Sequence, residues 1–199
     1  MDHYFTINKS STEEFKDRGS KFIAYAFPIE DVGAFKSHLQ SLKKEHPKAV
    51  HHCFAYRLGI HGDNFRVSDD GEPSGTAGKP ILGQIDSKKL TDTAVIVVRY
   101  FGGTLLGVPG LINAYKTSTS LVLQTIPVIQ KQIEQVFSLQ FDYTRLNDVM
   151  QIIKQYNCTI IEQEMQLFSS IRLGIPKNRV EEAIFKLKEL RNVEVKHIL

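Results

Sequence analysis

Cysteine is scarce in this chain: Cys53 and Cys158 stand far apart and in no zinc or redox spacing. That leaves no disulfide framework and no thiolate metal knuckle, and it fits a reducing cytosol. Long apolar runs are missing too. The longest, around Ala94 to Val98, is far too short to cross a bilayer, and the opening MDHYFTINKSSTEEF has no apolar stretch of the kind that marks a secretory signal. These absences predict a cytoplasmic chain without a membrane partner. Nor does one sign of charge dominate. Residues 1–128 carry 15 Lys and Arg against 13 Asp and Glu, residues 129–199 carry 10 against 9, and the net charge is +3. Such a balance permits a nucleic-acid partner without demanding one.

What is present is ordinary globular material, 42% apolar and 24% charged over 199 residues, enough for one large domain or two small ones. The segment SKFIAYAFP reads as a strand. From Asp31 to His46, Val32, Phe35, Leu39 and Leu42 recur at helical spacing, with Asp31 placed to cap and Pro47 to stop the helix. HHCFAYRLG and the residues Asn64 to Ser68 suggest a hairpin turning through Gly62-Asp63-Asn64. A helix is expected over about Thr76 to Ile85 despite Pro80. The run Ala94 to Tyr100 does not alternate, as expected of a strand buried on both faces, and a long helix follows near Pro109. Pro127 marks a boundary, giving units 1–128 and 129–199.

Beyond Lys131 the periodicity changes. Phe137, Leu139, Phe141 and Tyr143 alternate, and so do Leu167, Ser169, Ile171, Leu173 and Ile175. Two helical stripes, Leu146 to Tyr156 and Val180 to Leu190, complete the order β-α-β-β-α-β with strands near Cys158 to Ile161 and Val193 to Ile198. This is the split βαβ pattern of the ferredoxin-like fold.

The unusual chemistry lies between Phe65 and Thr119. The first loop, Ser68 to Thr76, places Asp69, Asp70 and Glu72 within four residues, beside Ser74 and Thr76. Such a cluster suits a hard cation or acid–base work, and equally suits turn and cap chemistry. In the second loop Gly102, Gly103, Gly107 and Gly110 separate a buried strand from a helix start, where backbone N–H groups can cradle an anion. It has neither the Walker lysine nor the dinucleotide spacing, and a tight strand–helix turn explains it as well. On a strand, His51 and Cys53 share one side and His52 does not. Glu72-Pro73 before Ser74 departs from the nucleophile elbow. Arg57, Arg66, Lys79, Arg99 and Lys116 supply cations, and Arg99, at the end of an apolar strand, needs an acid or a ligand, with Asp69 or Asp70 the expected partner.

The segments RGSKFIAYAFPI, EHPKAVHHCFAYRLG, VSDDGEPSGTAGKPIL and VVRYFGGTLLGVPGLINAYKTS together resemble the YigZ/IMPACT family. The resemblance implies an α+β chain of two domains. The first would be a β-α-β sandwich like the second domain of a small-subunit ribosomal protein and domain IV of elongation factor G, with a left-handed crossover. The second would be ferredoxin-like, similar to domain V of that factor. Eukaryotic IMPACT members act in translational control and carry an additional N-terminal RWD domain, which this chain is expected to lack, so that role is not expected to transfer directly. The family's usual loop reads YFGG-x-K-L-G-x-G-G-L-V-R-A-Y, against which Leu106 stands for a basic residue, Pro109 for a glycine and Asn113 for an arginine.

The leading expectation is a non-enzymatic, translation-associated protein that binds RNA or a ribosome-associated partner, without DNA sequence specificity. Its binding residues would be Arg66, Asp69, Asp70, Glu72, Ser74, Thr76, Lys79, Arg99, Tyr100, Gly102, Gly103, Gly107 and Lys116. No catalytic residue, cofactor or metal is assigned. The alternatives are a metal-assisted hydrolase or phosphoryl-transfer enzyme using Asp69, Asp70 and Glu72, and a protein-interaction module.

Overall fold

The computed structural model of the chain describes residues 2–198, which form an α+β protein of two compact units, one of residues 4–131 and the other of residues 132–198 with residues 2–3. Strand β1 (His3–Ile7) pairs with β7 (Val128–Gln132), and in the first unit five strands make an antiparallel sheet in the order β2-β3-β6-β4-β5. These are β2 (Ser11–Asp17), β3 (Ser20–Pro28), β4 (His51–Leu58), β5 (Asn64–Ser68) and β6 (Thr93–Tyr100). The turn between β2 and β3 consists of Arg18 and Gly19, both left-handed (φ 45° and 81°), as a two-residue hairpin turn matched to strand twist requires. Strand β2 escapes a reading of the polar N-terminal segment by periodicity, because it is an edge strand with no fully buried residue.

Strand β6 is buried from Thr93 through Arg99, and its alternate side chains enter two separate cores. Val95 and Val97 pack with Ile81 and Ile85 of α2 (Gly78–Ser87) and with Ala114, Tyr115 and Leu123 of α3 (Gly107–Gln124). Ala94 and Ile96 pack on the other face with Phe35 and Leu42 of α1 (Val32–Glu45). Helices on both faces explain why the run shows no alternation. Asp31 caps α1 through Ala34 N–H at 2.7 Å, as its position suggests. Helix α2 is displaced two residues from expectation, so Pro80 falls in its first turn, where no intrahelical bond is lost. Helix α3 begins at Gly107 and likewise keeps Pro109 in the first turn.

The second unit runs β8 (Glu134–Asp142), α4 (Leu146–Gln155), β9 (Thr159–Glu164), β10 (Phe168–Pro176), α5 (Val180–Glu189), β11 (Val193–His197), with sheet order β11-β8-β10-β9, all antiparallel. Phe137, Leu139, Phe141, Ile171 and Leu173 meet Val149, Ile153, Ala183 and Leu187 in a single core. The opposite face carries Ser138, Gln140, Ser170 and Arg172, the last paired with Glu162 at 3.1 Å. Tyr143 and Leu167 extend the alternating patterns but are exposed, because β8 stops at Asp142 and β10 starts at Phe168. No helix among the described residues is long and apolar enough to cross a membrane.

Candidate functional site

The three carboxylates of the first loop have three different partners. Asp69 accepts from the backbone N–H groups of Gly75 (2.8 Å), Ala77 (3.0 Å) and Gly78 (2.9 Å). Ala77, the residue before α2, has no side chain able to cap, so Asp69 does this from eight residues upstream. Partial burial alone would raise the Asp69 carboxyl, but the three amides and the nearby Lys79 hold it below the usual range. Asp70, left-handed at φ 42°, accepts from His52 N–H at 2.7 Å, and its carbonyl accepts from His51 Nδ1 at 2.7 Å. A carbonyl can only accept, so Nδ1 carries the proton and Nε2 faces Glu72 Oε1 at 3.7 Å.

Glu72 turns inward. Its Oε1 accepts from Arg99 Nη1 at 2.6 Å and from the Tyr115 hydroxyl at 2.7 Å, with the Glu72 and Arg99 side chains only 3% and 6% exposed. Arg99 therefore pairs with Glu72 and not, as the sequence suggested, with Asp69 or Asp70. The left-handed pair Asp70–Gly71 redirects the chain so that the third acid, two residues on, enters the core, while the aspartates are taken up by backbone amides. The Arg99 guanidinium is also near two rings, 5.4 Å from the centroid of Phe22 and 5.8 Å from that of Phe101.

The Cys53 thiol has the Asp69 carbonyl at 3.0 Å and the Tyr115 hydroxyl at 3.3 Å as acceptors. Burial pushes both the thiol and the Tyr115 phenol well up, so each remains a protonated donor and neither is a ready nucleophile. Thr76 is buried and donates to the Pro73 carbonyl at 2.7 Å, whereas Ser74 and Lys79 are exposed. No group of three or more His, Cys, Asp or Glu among the described residues is arranged to hold a metal ion.

The second loop is shaped by close approach. A Cβ on Gly102 would stand 1.9 Å from the Gly19 carbonyl carbon, so the Arg18–Gly19 turn docks backbone to backbone on this glycine. Gly102 N–H also donates to Ser20 Oγ at 3.2 Å. Gly103 (φ 87°) and Gly107 (φ 69°) are left-handed, the second opening α3. That helix has no side-chain cap and no acid in its first turn, and Gly107, Val108 and Pro109 are exposed. Leu105 is 82% exposed and Leu106 is buried. Counted from Gly103, the basic position of the family loop falls on Leu105 rather than Leu106, and their burial agrees with that register.

The model of the Impact N-terminal domain matches residues 18–123, which contain both loops and the whole buried cluster. An IMPACT family member of Haemophilus influenzae is 35% identical over 95% of this chain and 93% of its own length. IMPACT family member YigZ of Escherichia coli is 36% identical over 89% and 87%. The chain belongs to the IMPACT family. A crystal structure described as a hypothetical protein matches this IMPACT family member over all of the chain and 98% of its own, with a TM-score of 0.76 and 31% identity. Protein IMPACT of Xenopus laevis is 35% identical over 48% of the chain and 31% of its own length.

The sheet of this IMPACT domain separates the sequence-derived candidates. Arg66 lies opposite Tyr56 on the α1 face, and Tyr100 is on that face too, its hydroxyl hydrogen-bonded to His46 Nδ1 at 2.8 Å. His46 Nε2 is bonded in turn to Tyr25 at 2.7 Å. Glu72 and Arg99 lie within the core of the α2–α3 side, Lys79 and Lys116 on those helices, and Gly102, Gly103 and Gly107 at its end. Arg66 and Tyr100 thus do not join the loops. One residue absent from the sequence reading does: Arg18, exposed at the turn seated on Gly102. Its signal is the Arg-Gly pair preceding an apolar strand.

Proposed function

We propose that this protein is a non-enzymatic, translation-associated regulatory protein that binds RNA or a ribonucleoprotein through the α2–α3 end of its IMPACT domain. The translational setting comes from the family resemblance. One observation carries the binding reading: all three loop carboxylates are turned to internal partners, while the neighbouring loop and helix offer cations and free amides. From Thr93 to Ile133 the chain has no Asp or Glu at all. Phosphate is the natural complement of such a surface, since helix N-termini and exposed cations both favour anions. The same observation argues against a hydrolase built on Asp69, Asp70 and Glu72, which would need those oxygens free.

The test is a fluorescence-anisotropy titration against structured and single-stranded RNA across a salt series. The comparison variant replaces Arg18, Lys79 and Lys116 with alanine and leaves Arg99 in place, because Arg99 holds the core. The parent should bind with an affinity that falls steeply with salt. The variant, folded by circular dichroism, should lose about 2 units of the log–log salt slope, at roughly 0.7 per single-strand phosphate contact. No binding at low salt overturns the reading.

A further inference from the structure

Resting on that RNA reading, we infer that the RNA taken at this site is single-stranded, with an unpaired base stacked on Phe101. Phe101 leaves the end of β6 immediately before the glycine loop and is 48% exposed. The buried Arg99 guanidinium lies 5.8 Å from the Phe101 ring centroid, is 5.4 Å from the Phe22 ring as well, and is anchored by Glu72. Nearly half of Phe101 is therefore open to solvent while the ring keeps a buried cation near it. Exposed aromatic rings serve as platforms for unpaired bases, because every base has a π face and the contact tolerates any sequence.

The surroundings fit the same ligand. Leu105, Val108 and Ile112 are exposed, and Val108 and Ile112 share one face of α3 at a spacing of four. An apolar surface of this kind meets the faces and sugar edges of splayed nucleotides, whereas a duplex presents phosphates and closed base pairs outward. The charge is complementary. Arg18 precedes the Gly19 that docks on Gly102, the residue after Phe101, Lys116 follows Ile112 one turn along α3, and the segment between Phe101 and Lys116 carries no carboxylate. The uncapped amides at the start of α3 complete a phosphate-facing edge beside the apolar patch. A protein ligand would use the apolar stripe but would leave the free amides, the two cations and the aromatic platform without a common purpose.

The experiment compares a short fluorescent single-stranded RNA with a blunt duplex of the same sequence, using the full chain and the variants Phe101→Ala, Phe101→Leu and Leu105→Ser. Phe101→Leu keeps apolar cover over Arg99 and removes only the aromatic face, so it separates stacking from folding. The expected result is at least about tenfold tighter binding of the single strand by the parent, lost in Phe101→Leu without change in the salt slope, which is the scale of one stacked base. Equal affinity for the two RNAs, or undiminished single-strand binding by Phe101→Leu, overturns this inference while leaving the RNA reading standing. Failure to bind either RNA overturns both.

Discussion

Replacing Glu72 with glutamine is the sharpest test of the buried cluster. The substitution keeps the shape of the side chain and one acceptor for the Tyr115 hydroxyl, but removes the charge opposite Arg99. The Arg99 guanidinium then remains buried near Phe22 and Phe101, with its Nε already lacking a hydrogen-bond partner. Removing one partner of a buried ion pair costs about 3 to 5 kcal/mol, because the remaining charge has neither water nor a counter-ion. The amide oxygen retained in the Glu72→Gln variant places the expected loss near the lower end, about 3 kcal/mol. For a unit of this size that lowers Tm by roughly 10 °C. Hydrogen exchange of β4 and β6 peptides along a urea titration reads this unit separately from the ferredoxin-like one. Arg99→Met should cost a similar amount, and Glu72→Leu combined with Arg99→Met should recover much of it, since neither charge is then stranded. A loss below about 1 kcal/mol for Glu72→Gln, the scale of an exposed pair, or simple additivity in the double variant, would refute the buried-pair argument.

Other substitutions test the loops. Gly102→Ala forces a Cβ into the Gly19 backbone and should cost at least about 4 kcal/mol, whereas Gly103→Ala, in open space at φ 87°, should cost only about 1 to 2 kcal/mol for its left-handed φ; urea midpoints distinguish them. Asp69→Ala should remove about 2 kcal/mol, the upper end for a lost helix cap, with faster amide exchange at Ala77 and Gly78. The Asp69 carboxyl is depressed in the fold, so its stabilisation is complete above its unfolded pKa of about 4 and is lost as pH falls through the lower folded value. Asp69→Asn should therefore flatten the acid limb of a stability-against-pH curve, and an unchanged limb would count against the cap. Native Cys53 should resist iodoacetamide at neutral pH longer than Cys158, whose thiol is pushed up only to about 11.

Much of the second unit is readable from its periodicity, because one buried face per element imposes periods of two and 3.6 residues. That reading fails at Tyr143 and Leu167, where the alternation continues past the ends of the strands. In the first unit the sheet is covered on both sides, so β6 has no alternation and β2, at the edge, has no fully buried residue. The Arg18–Gly19 turn has a sequence signal in its Arg-Gly pair, but its seat on Gly102 shows only in the fold.

The site shows a sharper limit. Its residue types are plain in the sequence, but their partners depend on the backbone direction after Asp70. A left-handed step at Asp70 and Gly71 changes which acid enters the core, and no count of spacing contains that step. The consequence reaches the function. Had Asp69 or Asp70 paired with Arg99, Glu72 would have been an exposed acid beside the glycine loop, repelling phosphate. With Glu72 inside, its charge serves to hold Arg99 near Phe101, and the outer edge is left to Arg18, Lys116 and the amides of α3. Under the proposed RNA reading, the acids of the motif favour anion binding by taking internal partners.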